Sequence, residues 1–349
     1  MKRNMKLKQF GGKITPELAR IYASSVHWHD GKFQNLEQTG MNIRPKNVPG
    51  LICEQLTKKE RRPGSPLEIA SFSKETFEGG DSAVKYIWYG HSAVLLRLAG
   101  KNIFVDPMMG PDTSPIAPFR TRRFSDNSMA IIDELPEIDL VLLTHDHYDH
   151  LDMASILMLK GKTKNYYVAL GVKRHLVAWG INPDMIREFD WWDKVDFSGI
   201  EITFAPSRHF SGRGIRDRFK SFWGGWALRS VNESIYFSGD GGYGRHFKEI
   251  GEKLGPFGLA FMECGQYNDL WEQLHMMPEQ SVQAALEVNA GIAVPVHWGA
   301  FTLALHNWEE PADRFAAEAE SKGLQATFPH LGRIYGISTL QSAHWWKEF

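Results

Sequence analysis

Cysteine is scarce: only Cys53 and Cys264 occur in 349 residues, far apart in sequence. They form no disulfide scaffold, and a reducing compartment, the cytoplasm, is the simplest expectation. Charge of either sign is not in excess, since 40 Lys and Arg face 41 Asp and Glu for a net charge of -1. No global field then draws the chain to nucleic acid or to an acidic membrane, and nucleic acid is not an expected partner. No apolar run reaches the roughly 18 residues that a membrane-spanning helix needs, so any membrane contact is expected to be peripheral. The basic start, MKRNMKLKQFGGKITPELAR, lacks the apolar stretch of a secretory signal.

What the sequence has instead is aromatic weight, with 12 Trp and 21 Phe. Most of these rings are expected in a core, and the remainder would line an apolar pocket or a lipid-facing surface. Residues 1–82 read as an N-terminal extension. They are polar, punctuated by RPKNVPG and RRPGSP, with one helix near 16–25. From residue 83 to 349 the texture is that of one large domain. AVKYIWYGHSAVLLRLAGKNIFVDP predicts three short strands separated by turns. DLVLLT, NYYVAL, IREFDWW, IEITFAPS, GLAFMEC and IAVPVHWG predict further strands, and a hairpin turns around Val231-Asn232-Glu233. MASILMLKG, GVKRHLVAWG, YGRHFKEIGEKLG, PEQSVQAALEVNAG and EPADRFAAEAESKG predict helices, several ending at a glycine. Meanders first, then strands alternating with helices, predict an α/β fold of two mixed sheets with helices outside, four layers in all.

The densest feature is LLTHDHYDHLD, residues 142–152. His145 and His147 are two apart, so in extended chain they point to one side. Asp149 and His150 follow where the chain must turn. Imidazoles and carboxylates are the ligands that zinc and similar divalent ions accept, and burying so many without a metal would be costly. The alternative is an exposed polar loop with chance histidines. His209, Asp240 and His297 each follow an apolar run in the same way, the place where α/β folds commonly carry active-site groups. Seven such groups could hold two metals, with Asp240 the natural bridge because a carboxylate has two oxygens.

HxHxDH, then a histidine, an aspartate in SGD and a final histidine together resemble the metallo-β-lactamase fold superfamily. WYGHSAVLL, DPMMG, ELPEIDLVLLTHDHYDHLD, EFDWWD, FAPSRHFSGRG, WGGWAL, FSGDGGYGRHFKEIGEKLGPFGLA and HWGAFTLALHNWEEPADRF extend the resemblance over about 86–340, toward the branch of N-acylphosphatidylethanolamine-hydrolysing phospholipase D. The resemblance implies an αβ/βα four-layer sandwich with the site at the sheet edges, and a homodimer. It implies one zinc on His145, His147 and His209, a second on Asp149, His150 and His297, and Asp240 bridging them. Manganese or iron would suit the same donors.

Two such ions share a hydroxide and clamp a phosphoryl oxygen, which suits a phosphodiester substrate. Asp149, Asp240 and His275 are then the candidate catalytic groups. His275, in EQLHMMPEQ, matches a family histidine and is expected to help the leaving group; the alternative is an exposed residue before a helix. Arg208, Arg213, Arg216, Arg218 and Lys220 surround His209, and FRTRRF adds Arg120, Arg122 and Arg123. They suit an anionic phosphate ester such as a phospholipid, or are solvated loop charges. Arg208, Arg213 and Phe210 are the candidate substrate contacts. Trp223 and Trp226 could join an acyl wall, with core the stronger expectation. Two departures from the mammalian pattern, Leu274 for a glutamine and Gly212 for a lysine, fall near this contact. His91 is expected to make a structural hydrogen bond. Asp106 is expected to orient a ligand histidine or cap a turn, and Asp146 and Asp152 are open in the same way. His175, His246 and His330 lack a ligand-like context.

The leading expectation is a dinuclear zinc phosphodiesterase. A hydrolase of a soluble substrate, such as a sugar-phosphate lactone, is the alternative. A metal-dependent binding protein without turnover is a third class, disfavoured by a complete ligand set.

Overall fold

The computed structural model describes residues 8–57, 60–79, 84–114, 121–214, 216–337, 339 and 344–349. Two seven-stranded sheets lie at its centre. Across the first, the order is Ile334–Gly336, Lys85–Trp88, Val94–Leu98, Lys101–Val105, Leu140–Leu143, Tyr166–Ala169 and Ile186–Phe189. Across the second it is Gln325–Ala326, Ala290–Val296, Phe257–Glu263, Ser234–Phe237, Gly225–Arg229, Ile200–Ala205 and Lys194–Phe197. Both sheets share one plan, an antiparallel meander continued by parallel strands. Parallel neighbours need long crossovers, here supplied by helices such as Met153–Leu159, Lys173–Ala178, His246–Leu254 and Pro278–Glu287. The sheets face each other through aromatic rings: Tyr86 meets Phe261 at 5.3 Å and Phe189 meets Trp226 at 5.2 Å between centroids. This is the four-layer αβ/βα sandwich the sequence predicts.

Leu140–Leu143 is buried on both faces, as a central parallel strand must be. Helix Glu310–Lys322 ends at Gly323 in the left-handed conformation, φ +68°. For Pro278–Glu287 the expectation of a terminal glycine is corrected. Asn289 takes the left-handed position at φ +58°, and Gly291 already lies in the next strand.

The predicted helix near the start spans Pro16–Tyr22, capped by the Thr15 side chain. Tyr22, Phe33, Leu67, Ile69 and Phe77 lie in the same apolar core as both sheets. Backbone bonds tie this region down, Phe33 N–H to Phe219 O at 2.9 Å and Ala70 N–H to Leu331 O at 3.1 Å. The expected boundary at 82/83 lies outside the described residues.

Candidate metal centre

The loop after Leu140–Leu143 delivers His145, His147, Asp149 and His150 to the end of the first sheet. His209, Asp240 and His297 arrive from the facing ends of three second-sheet strands. Ligand atoms of His145, His147 and His209 lie within 4.8 Å of one another, as do those of Asp149, His150, His297 and His91. Asp240 belongs to both sides. Its Oδ2 is 3.0 Å from Nε2 of His297, 3.1 Å from that of His150, 3.8 Å from that of His209 and 3.9 Å from that of His145.

An outer ring of hydrogen bonds fixes which nitrogen each imidazole offers. Asp106 Oδ2 takes Nδ1–H of His150 at 2.8 Å, and both Asp106 oxygens hold Thr144, through its N–H and its hydroxyl. The Thr144 hydroxyl in turn accepts from Nδ1 of His145 at 3.0 Å. Nδ1 of His209 donates to Leu274 O at 3.0 Å and Nδ1 of His297 to Gly265 O at 3.3 Å. Nε2 of these four therefore faces the centre. His147 alone faces it with Nδ1, 2.9 Å from Nε2 of His145 and 3.2 Å from that of His209. His91, Asp106, Gln266 and His297 all hold left-handed backbone, φ between +41° and +71°. Non-glycine residues stay there only when their surroundings over-determine them. Reciprocal backbone bonds join His91 to the 297–298 corner, locking the two sheet ends together.

The centre is polarised. Burial and neighbouring imidazoles hold His145 and His209 well below the ordinary histidine range. Burial also pulls on His150 and His297, but Asp240 and the other carboxylates outweigh it, raising His150 well above its ordinary value and His297 to about 10. Asp149 and Asp240 are pushed up by burial and held well below their usual range by His150 and its neighbours. Asp240 Oδ1, His150 Nε2 and His297 Nε2 are buried without a well-directed hydrogen bond. Buried imidazoles and carboxylates turned inward with unused lone pairs fit divalent metal.

A model of the beta-lactamase superfamily domain matches residues 101–298. An uncharacterized protein of Mycobacterium tuberculosis is 34% identical over 96% of this chain and 91% of its own length. N-acyl-phosphatidylethanolamine-hydrolyzing phospholipase D 1 of Caenorhabditis elegans is 30% identical over 82% of this chain and 84% of its own. The structure of Igni18, a metallo hydrolase from Ignicoccus hospitalis, superposes with a TM-score of 0.54 at 21% identity, covering 72% of this chain and 97% of that one. The chain belongs to the metallo-β-lactamase superfamily. It is a metal-dependent hydrolase of the N-acylphosphatidylethanolamine phospholipase D-like branch.

The cluster opens on a cleft of about 300 Å³. His147, Asp149, Asp240, His275 and His297 form its floor, and Met41, Ile43, Phe210, Trp271 and Leu303 its apolar walls. Phe210 lines this cleft, whereas Trp223 and Trp226 are core. His275 is not a loose pre-helix residue: its side chain is 17% exposed, with Nδ1 2.5 Å from Glu263 Oε1. Burial pushes the Glu263 carboxyl up, against the pull of His275.

The arginines are the main correction. Arg213 is buried, donating to Asp146 O, Leu151 O and Gln9 O and lying 3.9 Å over the Tyr148 ring. Arg208 donates to Thr39 Oγ1, Tyr243 O and Gln38 O. Both fasten the N-terminal extension rather than face the cleft. Arg218 lies 4.7 Å over the ring of Phe210, one wall of the cleft. Arg122 and Arg123 line a separate hollow with Arg62; Arg120 lies outside the described residues.

The remaining residues sort by contact. Asp146 turns away from the cluster to Ser221, His175 and Gly212 N–H. Asp152 caps helix Met153–Leu159. His91 bonds Asp149 Oδ2 at 2.8 Å, so its hydrogen bond holds a site carboxylate. Leu274 buries its side chain and serves through its carbonyl. Gly212 sits at φ +142°, where a lysine would be strained. Sequence reasoning missed Glu263, although it ends an apolar strand like the ligands do. It also missed Asn35, whose amide brackets the backbone of His209.

Proposed function

We propose that this chain is a dinuclear zinc phosphodiesterase of phospholipase D type, acting on N-acylphosphatidylethanolamine or a related phospholipid. Asp240, lying between two groups of buried histidines, carries the reading. In it, His145, His147 and His209 would hold one ion and Asp149, His150 and His297 the other, with Asp240 lying between the two groups. Bound metal would supply the Lewis acid that polarises a phosphoryl oxygen and acidifies water. Manganese or iron in place of zinc would appear in a metal count.

The apolar walls bind the acyl part and exclude water, while the phosphate faces the floor. With Arg208 and Arg213 engaged elsewhere, Arg218 is the basic side chain stacked on a wall of the cleft. Water oxygen bonds to phosphorus as the bond from phosphorus to the ethanolamine oxygen breaks. That oxygen keeps the electron pair and takes a proton from His275, and the proton lost by water restores the ring. The products are phosphatidic acid and an N-acylethanolamine. The cleft volume favours a second reading, since about 300 Å³ admits a headgroup more readily than a diacyl lipid. That reading is a soluble phosphodiester or lactone.

Purified protein with counted metal is the test, assayed for phosphatidic acid release from N-acylphosphatidylethanolamine in mixed micelles, with and without chelator. Chelator-sensitive release is expected. Two bound metals with no release would overturn the lipid substrate and favour the soluble one.

A further inference from the structure

We propose that Glu263 is a positioning residue for His275, fixing which ring nitrogen faces the cleft. The functional weight of this rests on His275 as the proton donor, but the contact can be measured without turnover. Glu263 closes strand Phe257–Glu263, and its side chain is buried. Its carboxylate holds the neighbouring segment twice, through Nδ1 of His275 at 2.5 Å and through Met276 N–H at 3.0 Å. The backbone that carries it is fixed too, because Glu263 N–H donates to Ser238 Oγ at 2.9 Å.

A carboxylate against Nδ1 selects the tautomer that carries its proton there, leaving Nε2 for the cleft. The His275 ring is stacked on that of His297, centroids 5.2 Å apart and planes 10° apart, and its centroid is 5.1 Å from that of His209. The donor is therefore held over the ligand cluster from two sides. Glu263 Oε1 is 3.7 Å from Nδ1 of His297, beyond hydrogen-bond reach, and that nitrogen faces Gly265 O. The direct grip is on His275.

Glu263→Gln in the metal-loaded protein is the experiment. The two N–H groups meet different carboxylate oxygens, so in the amide one of them faces an NH2 donor, and the charge is gone. The expected result is kcat lower by about 10²-fold with KM and metal content unchanged. In a His275→Gln background the same change should cost less than about twofold, since the two act as a unit. Glu263→Asp should recover part of the loss and covers the case of a glutamine variant that misfolds. In ¹⁵N-histidine spectra the wild type should show a downfield Nδ1 proton on His275 that Glu263→Gln removes or shifts. Equal losses in both backgrounds, loss of metal, or a kcat like wild type would overturn the proposal. If the wild type hydrolyses no phospholipid, the functional reading fails. The Nδ1 proton then decides the positioning alone, its absence from wild type overturning it.

Discussion

Metal-free, the centre already carries charge. His150 and His297 are pushed toward the imidazolium form by Asp240 and its neighbours, although burial opposes this. A metal needs their lone pairs, so binding at pH 7 should expel about two protons. Titration calorimetry in buffers of different ionisation enthalpy should show that release, and a heat independent of buffer would contradict it. The sign for stability follows. His297 is raised from 6.5 to about 10, so its stabilisation of the metal-free fold is full below 6.5 and lost as pH climbs through 10. Metal-free Tm should therefore fall between pH 7 and 10, while metal affinity rises over the same span. Asp240→Asn removes the shared charge and should cost at least one metal, read by elemental analysis, together with nearly all hydrolysis.

Strands and helices were legible where one physical signal dominated. HxHxDH after a buried run located its strand, because the next residues cannot be apolar core. Helix Val48–Thr57 and the edge strand Lys194–Phe197 were not, since Pro and Gly in the first and alternating charge in the second mask short elements. The same limit misassigned the arginines. Their position beside His209 in sequence says nothing about which way a guanidinium points, and Arg213 turns back to three carbonyls in two segments. Arg213→Met should accordingly lower stability by roughly 1–3 kcal/mol, from carbonyls left without donors, and leave KM near wild type. Chemical denaturation and steady-state kinetics on one preparation separate the two roles. A large KM rise at unchanged stability would return Arg213 to the substrate.

At the scale of the whole molecule, the extension and the two sheets share one core, with Tyr22 and Phe33 among its buried rings. Deleting residues 1–43 should therefore give an aggregating chain rather than a free catalytic domain, visible by size exclusion. The clustered imidazoles and carboxylates come from both sheets, so a bound metal would also fasten the halves of the sandwich. At free metal a thousandfold above Kd this linkage is worth about 4 kcal/mol, and a chelator should lower Tm accordingly. The order of the chain adds a constraint on biogenesis. A nascent chain that has made Ile186–Phe189 already carries His145 to His150, but their partners on the other sheet are still unmade, as is Ile334–Gly336, which closes the first sheet beside Lys85–Trp88. If His297 belongs to the donor set, the ribosome must pass it before an ion can find every donor, so metal capture would belong to the last stage of synthesis or after release.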